Sequence, residues 1–178
     1  MGNIILISGG VSKNSRTARV IHHIASFIEE RGGSSQTFEV TDFRAEDVLF
    51  ANFESSAIQE FATTVLNSSA VIIATPVYKA TYTGALKALL DLLPQNSLKG
   101  KVVIPIAIGG TLNHVLSIEY GLKPLIGVLG GEHVLAGTFI LDEYVSADGS
   151  ITDSYTAERL YKSVEELLLS SNNLVLKK

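Results

Sequence analysis

The residues best equipped for chemistry lie in the stretch 74–93, ATPVYKATYTGALKALLDLL. Its first part carries Pro76, Tyr78, Tyr82, Lys79 and the threonines 75, 81 and 83. That is a high aromatic and hydroxyl content for a connection from strand to helix. Pro76 fixes φ and lacks an N–H, which stiffens the turn. The N–H groups that follow Pro76 and Val77, around Tyr78 and Lys79, are then available to a flat, polar ligand. Paired backbone donors can hold developing negative charge. Lys79 either adds a cation there or is a plain exposed lysine. Tyr78 and Tyr82 either line a ligand or only cap the sheet edge.

Two more loops carry suitable groups. Residues 8–17, SGGVSKNSRT, are small, polar and glycine-rich. They follow an apolar run and precede a helical pattern. That order sets an anion at a helix start, where free N–H groups and the dipole meet it. Neither a Walker loop nor G-x-G-x-x-G is present. Ser8, Ser15, Thr17 and Arg16 suit a terminal monophosphate. The same loop also reads as a surface connection with an N-cap at Ser15. Gly109, Gly110 and Thr111 form the third loop, and paired glycines permit close backbone approach to a flat ligand. His114, just beyond, is either a proton donor or a packing or ribose contact. The four histidines show no metal-ligand spacing, so no metal site is expected. With no cysteine, disulfides, thiolate metal sites and a cysteine nucleophile are excluded.

Alternating strands and helices must position these loops. Residues 4–7 and 70–74 are continuous apolar runs, as in strands buried on both faces. Residues 36–40 and 101–108 add two strands, and 134–140 a closing one. Pro105 is awkward inside a central ladder and suggests a bulge or an edge-like kink. Helices are expected over 18–31, 55–67, from about 83, over 115–129 and over 156–169. Gly32-Gly33 suits a left-handed cap on the first. The segment 115–129 is apolar on more than one face. The sheet takes one face. A second subunit is the simplest cover for the other, and burial under the 142–155 loop is the alternative.

The 178 residues suit one domain, 1–178, with a full core. Hydrophobic residues make up 46% and charged ones 18%, which fits a globular chain rather than a disordered one. The net charge is −4 with no basic run, so no nucleic-acid partner is expected. No stretch approaches the ~18–20 apolar residues of a membrane span. The N-terminus lacks the positive region of a signal peptide. A cytoplasmic protein is the expectation.

The loop 75–93, Gly109-Gly110-Thr111 and the segment Ile118-Glu119-Tyr120-Gly121-Leu122-Lys123-Pro124 carry a resemblance. They resemble the NADPH-dependent FMN reductases, most closely those paired with alkanesulfonate monooxygenases. The resemblance covers roughly residues 4–134. It implies a flavodoxin-like three-layer α/β/α sandwich with a five-stranded parallel sheet, order 2-1-3-4-5, and FMN at the switch between the first and third strands. It implies that Pro76, Val77, Tyr78 and Lys79 run beside the isoalloxazine ring. Gly109, Gly110 and Thr111 would face its pyrimidine edge. Where those reductases usually read Gly-Ser-x-Arg, this chain has Gly9-Gly10-Val11-Ser12, and Lys13 or Arg16 is left to compensate. In the alkanesulfonate-linked members an inserted tyrosine makes a π-bulge at a tetramer interface, and Tyr120 stands at the matching place.

The implied activity is hydride transfer from NADPH to FMN, with backbone groups near Tyr78 and Lys79, and Tyr120, as the site's reactive surroundings. The implied partners are an FMNH2-dependent monooxygenase and further copies of the chain, in a dimer or tetramer. One alternative keeps FMN bound and passes electrons to a quinone, azo compound or metal oxyanion. Another is a flavodoxin-type electron carrier, although those are markedly more acidic around the flavin.

Overall fold

The computed structural model describes residues 3–175. Strands β1 (Asn3–Ser8), β3 (Ala70–Pro76) and β4 (Val102–Gly109) are buried at nearly every position. Runs of β-branched residues buried on both faces are what a parallel sheet with helices on each side requires. β2 (Ser34–Glu39) lies beside β1, and the strand order is β2-β1-β3-β4-β5, with every pairing parallel. This is the doubly wound, flavodoxin-like order, with its switch between β1 and β3.

Side chains alternate between two cores. Ile4, Leu6, Ile72 and Ile104 face α1 (Arg16–Glu30) and α6 (Ser154–Val175). Ile5, Ile7, Val71, Ile73 and Val103 face the helices of the other layer. These are α3 (Ser56–Leu66), α4 (Gly84–Leu90) and α5 (Lys123–Val128). A short α2 (Ala45–Leu49) interrupts the connection after β2. Leu66, the last residue of α3, is exposed.

Two expectations need correction at the closing edge. β4 carries Pro105 without a bulge, in continuous register with β3 through Ile73. The break falls in the neighbouring strand instead. β5 (His133–Val134) pairs with Val102 and Val103, and β6 (Thr138–Leu141) pairs from Ile106 onward. The expected single strand is therefore two pieces, and the sheet has six strands rather than five. The cause is the missing N–H of proline, which cannot donate to a neighbour. Gly137 fills the gap so closely that a Cβ there would lie 2.9 Å from the Pro105 carbonyl.

α1 begins at Arg16, two residues before the apolar stripe that marks it in the sequence. Its end matches the expected cap. Gly32 has φ 72, its N–H donates to Glu29 (2.8 Å), and the Gly33 N–H donates to Ile28 (2.9 Å). That is a Schellman motif. His22 and His23 of α1 are both engaged. His22 pairs with the buried carboxylate of Glu39 at 2.8 Å, and His23 with the Tyr161 hydroxyl at 2.9 Å. Among the described residues no helix is long and apolar enough to cross a membrane.

Candidate functional site

The first loop is shaped by its own hydroxyls. Ser15 caps α1, its Oγ accepting from the Ala18 N–H at 3.1 Å, and Ser8 Oγ accepts from the Gly10 N–H at 3.3 Å. A Cβ on Gly10 would collide with the Ser15 hydroxyl. Two amides, of Arg16 and Thr17, open the helix without intrahelical partners. The Thr17 hydroxyl is buried with no hydrogen-bond partner among the described residues. Arg16 is exposed, and Lys13 reaches toward Asp42 at 3.9 Å.

After β3 the chain makes a tight hairpin. The Tyr78 N–H donates to Thr81 at 2.9 Å and the Thr81 N–H returns to Tyr78 at 3.3 Å. Lys79 and Ala80 have φ 50 and 70. Two successive left-handed residues mark a type I′ turn, which favours Asn-Gly rather than Lys-Ala. This corrects the expected donor pair. The Val77 and Tyr78 amides are already spent, on Ile108 (2.8 Å) and Thr81, which leaves those of Lys79 and Ala80 without partners among the described residues. Tyr78, at 53% exposure, Lys79 and Ala80 form an open rim. Left-handed backbone costs a residue with a Cβ about 1–2 kcal/mol. Ala80→Gly is therefore expected to stabilise the fold by about 1 kcal/mol, read as a higher urea midpoint with an unchanged slope.

The third loop closes on the second. A Cβ on Gly109 would sit 3.4 Å from Val77 Cβ and 3.1 Å from the Phe139 ring. Gly110 is exposed, and Thr111 caps the turn Leu112–His114 by accepting from the Asn113 N–H at 3.2 Å. The helix expected over 115–129 is in fact a π-helix, Ile118–Leu122, running into α5. Within it the Lys123 N–H reaches back five residues to Ile118. The extra residue pushes Tyr120 outward to 80% exposure. The next residue, Gly121, faces the hairpin so closely that a Cβ would meet Thr81 Oγ1 at 2.7 Å. A cavity of about 240 Å³ lies between them, lined by Ala80, Thr81, His114, Ser117 and Tyr120.

The fold thus gathers all three predicted loops at one end of the sheet. Gly9 donates to Ala74 at 2.7 Å, joining the first loop to β3. Thr81 and Gly121 meet at this surface, while Thr75 and Thr83 are buried beneath it, and none of the four has a definite role in the sequence reading. Gly121 carried a signal, a glycine inside an apolar helical pattern, which marks close approach. The threonines carried none beyond their number.

The residues present fit FMN. The orphaned Thr17 hydroxyl and the open amides at the α1 start suit a phosphate. The exposed hairpin amides and the Gly109 approach suit a flat ring. Comparison with known proteins agrees. The family model for NADPH-dependent FMN reductase matches residues 3–146. This chain belongs to that family. An FMN reductase (NADPH) of Pseudomonas putida is 40% identical over 166 residues, 91% of this chain and 84% of the relative. One of Escherichia coli K12 is 38% identical over 142 residues, 80% and 74% of the two chains. The solved apo structure of the NADH:FMN oxidoreductase EMOB superposes with TM-score 0.88 at 33% identity, covering 96% of this chain and 90% of that one.

Proposed function

We propose that this NAD(P)H-dependent FMN reductase releases its reduced flavin to a separate FMNH2-dependent monooxygenase, of the kind that liberates sulfur from alkanesulfonates. The resemblance in residues 75–93 and 118–124 supports the partner class. The observation that carries release is the open ring site. Tyr78, Lys79 and Ala80 stand on an exposed rim.

FMN, when bound, would supply the chemistry, acceptance of hydride from NADPH. The chain orients and stabilises. The α1 start and the Ser8, Ser15 and Thr17 hydroxyls hold the phosphate. The Lys79 and Ala80 amides donate to the polar edge of the ring, where negative charge grows on reduction. Gly109, Gly110 and Thr111 bound its other edge. Tyr78 stacks on it. Tyr78→Ala should weaken FMN binding by about 1–3 kcal/mol, the range for losing one stacking platform. Flavin fluorescence titration reads this directly, and an unchanged dissociation constant removes Tyr78 from the ring contact.

Assembly belongs to the same proposal. Leu112, Val115, Leu116, Tyr120 and Val128 are all exposed around the π-helix. Such a surface suits an isologous contact between copies, in a dimer or tetramer.

Steady-state kinetics with free FMN as the varied substrate test the reading. Saturation by FMN, with flavin lost from the protein on gel filtration, is the expected result. Flavin that stays bound through gel filtration, with quinones, azo compounds or metal oxyanions reduced at its expense, overturns the release.

A further inference from the structure

We infer that Thr83 is a positioning residue that fixes the spacing between the phosphate loop and the ring loop, and thereby makes the enzyme prefer FMN to riboflavin. The inference rests on the proposed assignment of residues 8–17 to the phosphate and of the hairpin to the ring. Thr83 is 1% exposed and belongs to neither loop. Its hydroxyl donates to the Gly9 carbonyl at 2.9 Å and accepts from the Leu86 N–H at 3.1 Å. Its own N–H donates to Thr75 Oγ1 at 3.2 Å, and that hydroxyl donates to the Pro76 carbonyl at 2.9 Å. One buried network therefore runs from the phosphate loop, through the start of α4, to the proline that opens the ring loop.

Gly9 is packed closely against the other members of that network. A Cβ there would already lie 2.9 Å from Leu86 Cβ and 3.2 Å from Thr75 Oγ1. With Thr83 removed, the Gly9 carbonyl and the Leu86 N–H lose partners in a site closed to water, and the backbone must shift to regain them. FMN is gripped at two ends a fixed distance apart, so its binding senses the spacing. Riboflavin lacks the phosphate and is gripped only at the ring, so its binding does not.

Thr83→Val keeps the shape and removes both hydroxyl bonds. Thr83→Ser keeps them. With NADPH saturating, Thr83→Val is expected to raise KM for FMN about tenfold, the worth of roughly one hydrogen bond. KM for riboflavin and kcat with FMN should stay within about twofold. Thr83→Ser should restore the wild-type ratio. Thr75→Val, which breaks the network at its other end, should reproduce the loss and serves as the test if Thr83→Val does not fold. Parallel rises in KM for FMN and riboflavin in a folded variant would mean a general structural role and overturn the inference. So would a wild-type preference for FMN that survives both valine variants. A wild-type enzyme that fails to discriminate FMN from riboflavin overturns the phosphate-loop assignment, and the inference with it.

Discussion

Gly10→Val is expected to lower FMN affinity by roughly a hundredfold, the equivalent of about one hydrogen bond to a charged group. The reason is local. A Cβ at this position would occupy the place of the Ser15 hydroxyl. Ser15 must turn away, which frees the Ala18 N–H and moves the opening turn of α1. Losing the cap itself costs only about 1 kcal/mol, so the variant should fold. The phosphate, however, meets amides that point elsewhere. Titration of flavin fluorescence, with riboflavin as the control, separates the two effects. FMN affinity should fall toward that of riboflavin, whose own affinity should hardly change. A variant that binds FMN as the wild type does would remove the phosphate from this loop.

Deleting Tyr120 is expected to keep the fold and FMN binding, yet cut flavin-transfer turnover by at least about tenfold, or more than 1.4 kcal/mol in the barrier. π-helices are rare insertions that concentrate at functional sites. Here the insertion makes the Lys123 N–H bond to Ile118, five residues back. Removing one residue lets that N–H bond four residues back, as in a regular helix. Two features then go together. The outward aromatic ring at the apolar surface is lost, and so is the close seat of Gly121 on Thr81. Without that seat, the wall opposite the hairpin takes regular helical geometry, and FMN should be held more firmly. Light scattering reads assembly, and stopped-flow transfer to a flavin acceptor reads turnover. A wild-type monomer at micromolar concentration would end the interface proposal. An oligomeric wild type whose deletion variant transfers flavin normally would retain the interface and remove the role of the π-turn.

The layered fold was legible because its signals are local. Residues 4–7 and 70–74 are unbroken apolar runs, and a parallel sheet is the arrangement that buries such runs on both sides. The paired glycines at 32 and 33 marked a helix end because few other residues take a left-handed backbone. Pro105 was harder. Its missing donor was legible, but which neighbour would yield was not, since that depends on which side of β4 its N–H would have faced. The site was legible as loops but not as contacts. Nothing in Lys79-Ala80 announces a type I′ turn, because its usual Asn-Gly signature is absent. The consumption of the Tyr78 amide by Thr81 follows from that turn, so it was hidden too. The tie from Thr83 to Gly9 spans 74 residues of sequence, and pairings at that range leave no periodic trace.

The break opposite Pro105 also bears on the behaviour of the protein when it is crowded. An exposed parallel edge is an invitation for another chain to add a strand. Here the outermost pieces are two and four residues long, separated by residues 135–137. Neither offers a run of evenly spaced donors and acceptors long enough to template a neighbour. The proline that breaks the strand beside it thus acts as a safeguard against fibril growth from this side of the molecule. Re-joining the two pieces into one smooth strand would make a protein that catalyses as before but precipitates more readily on concentration.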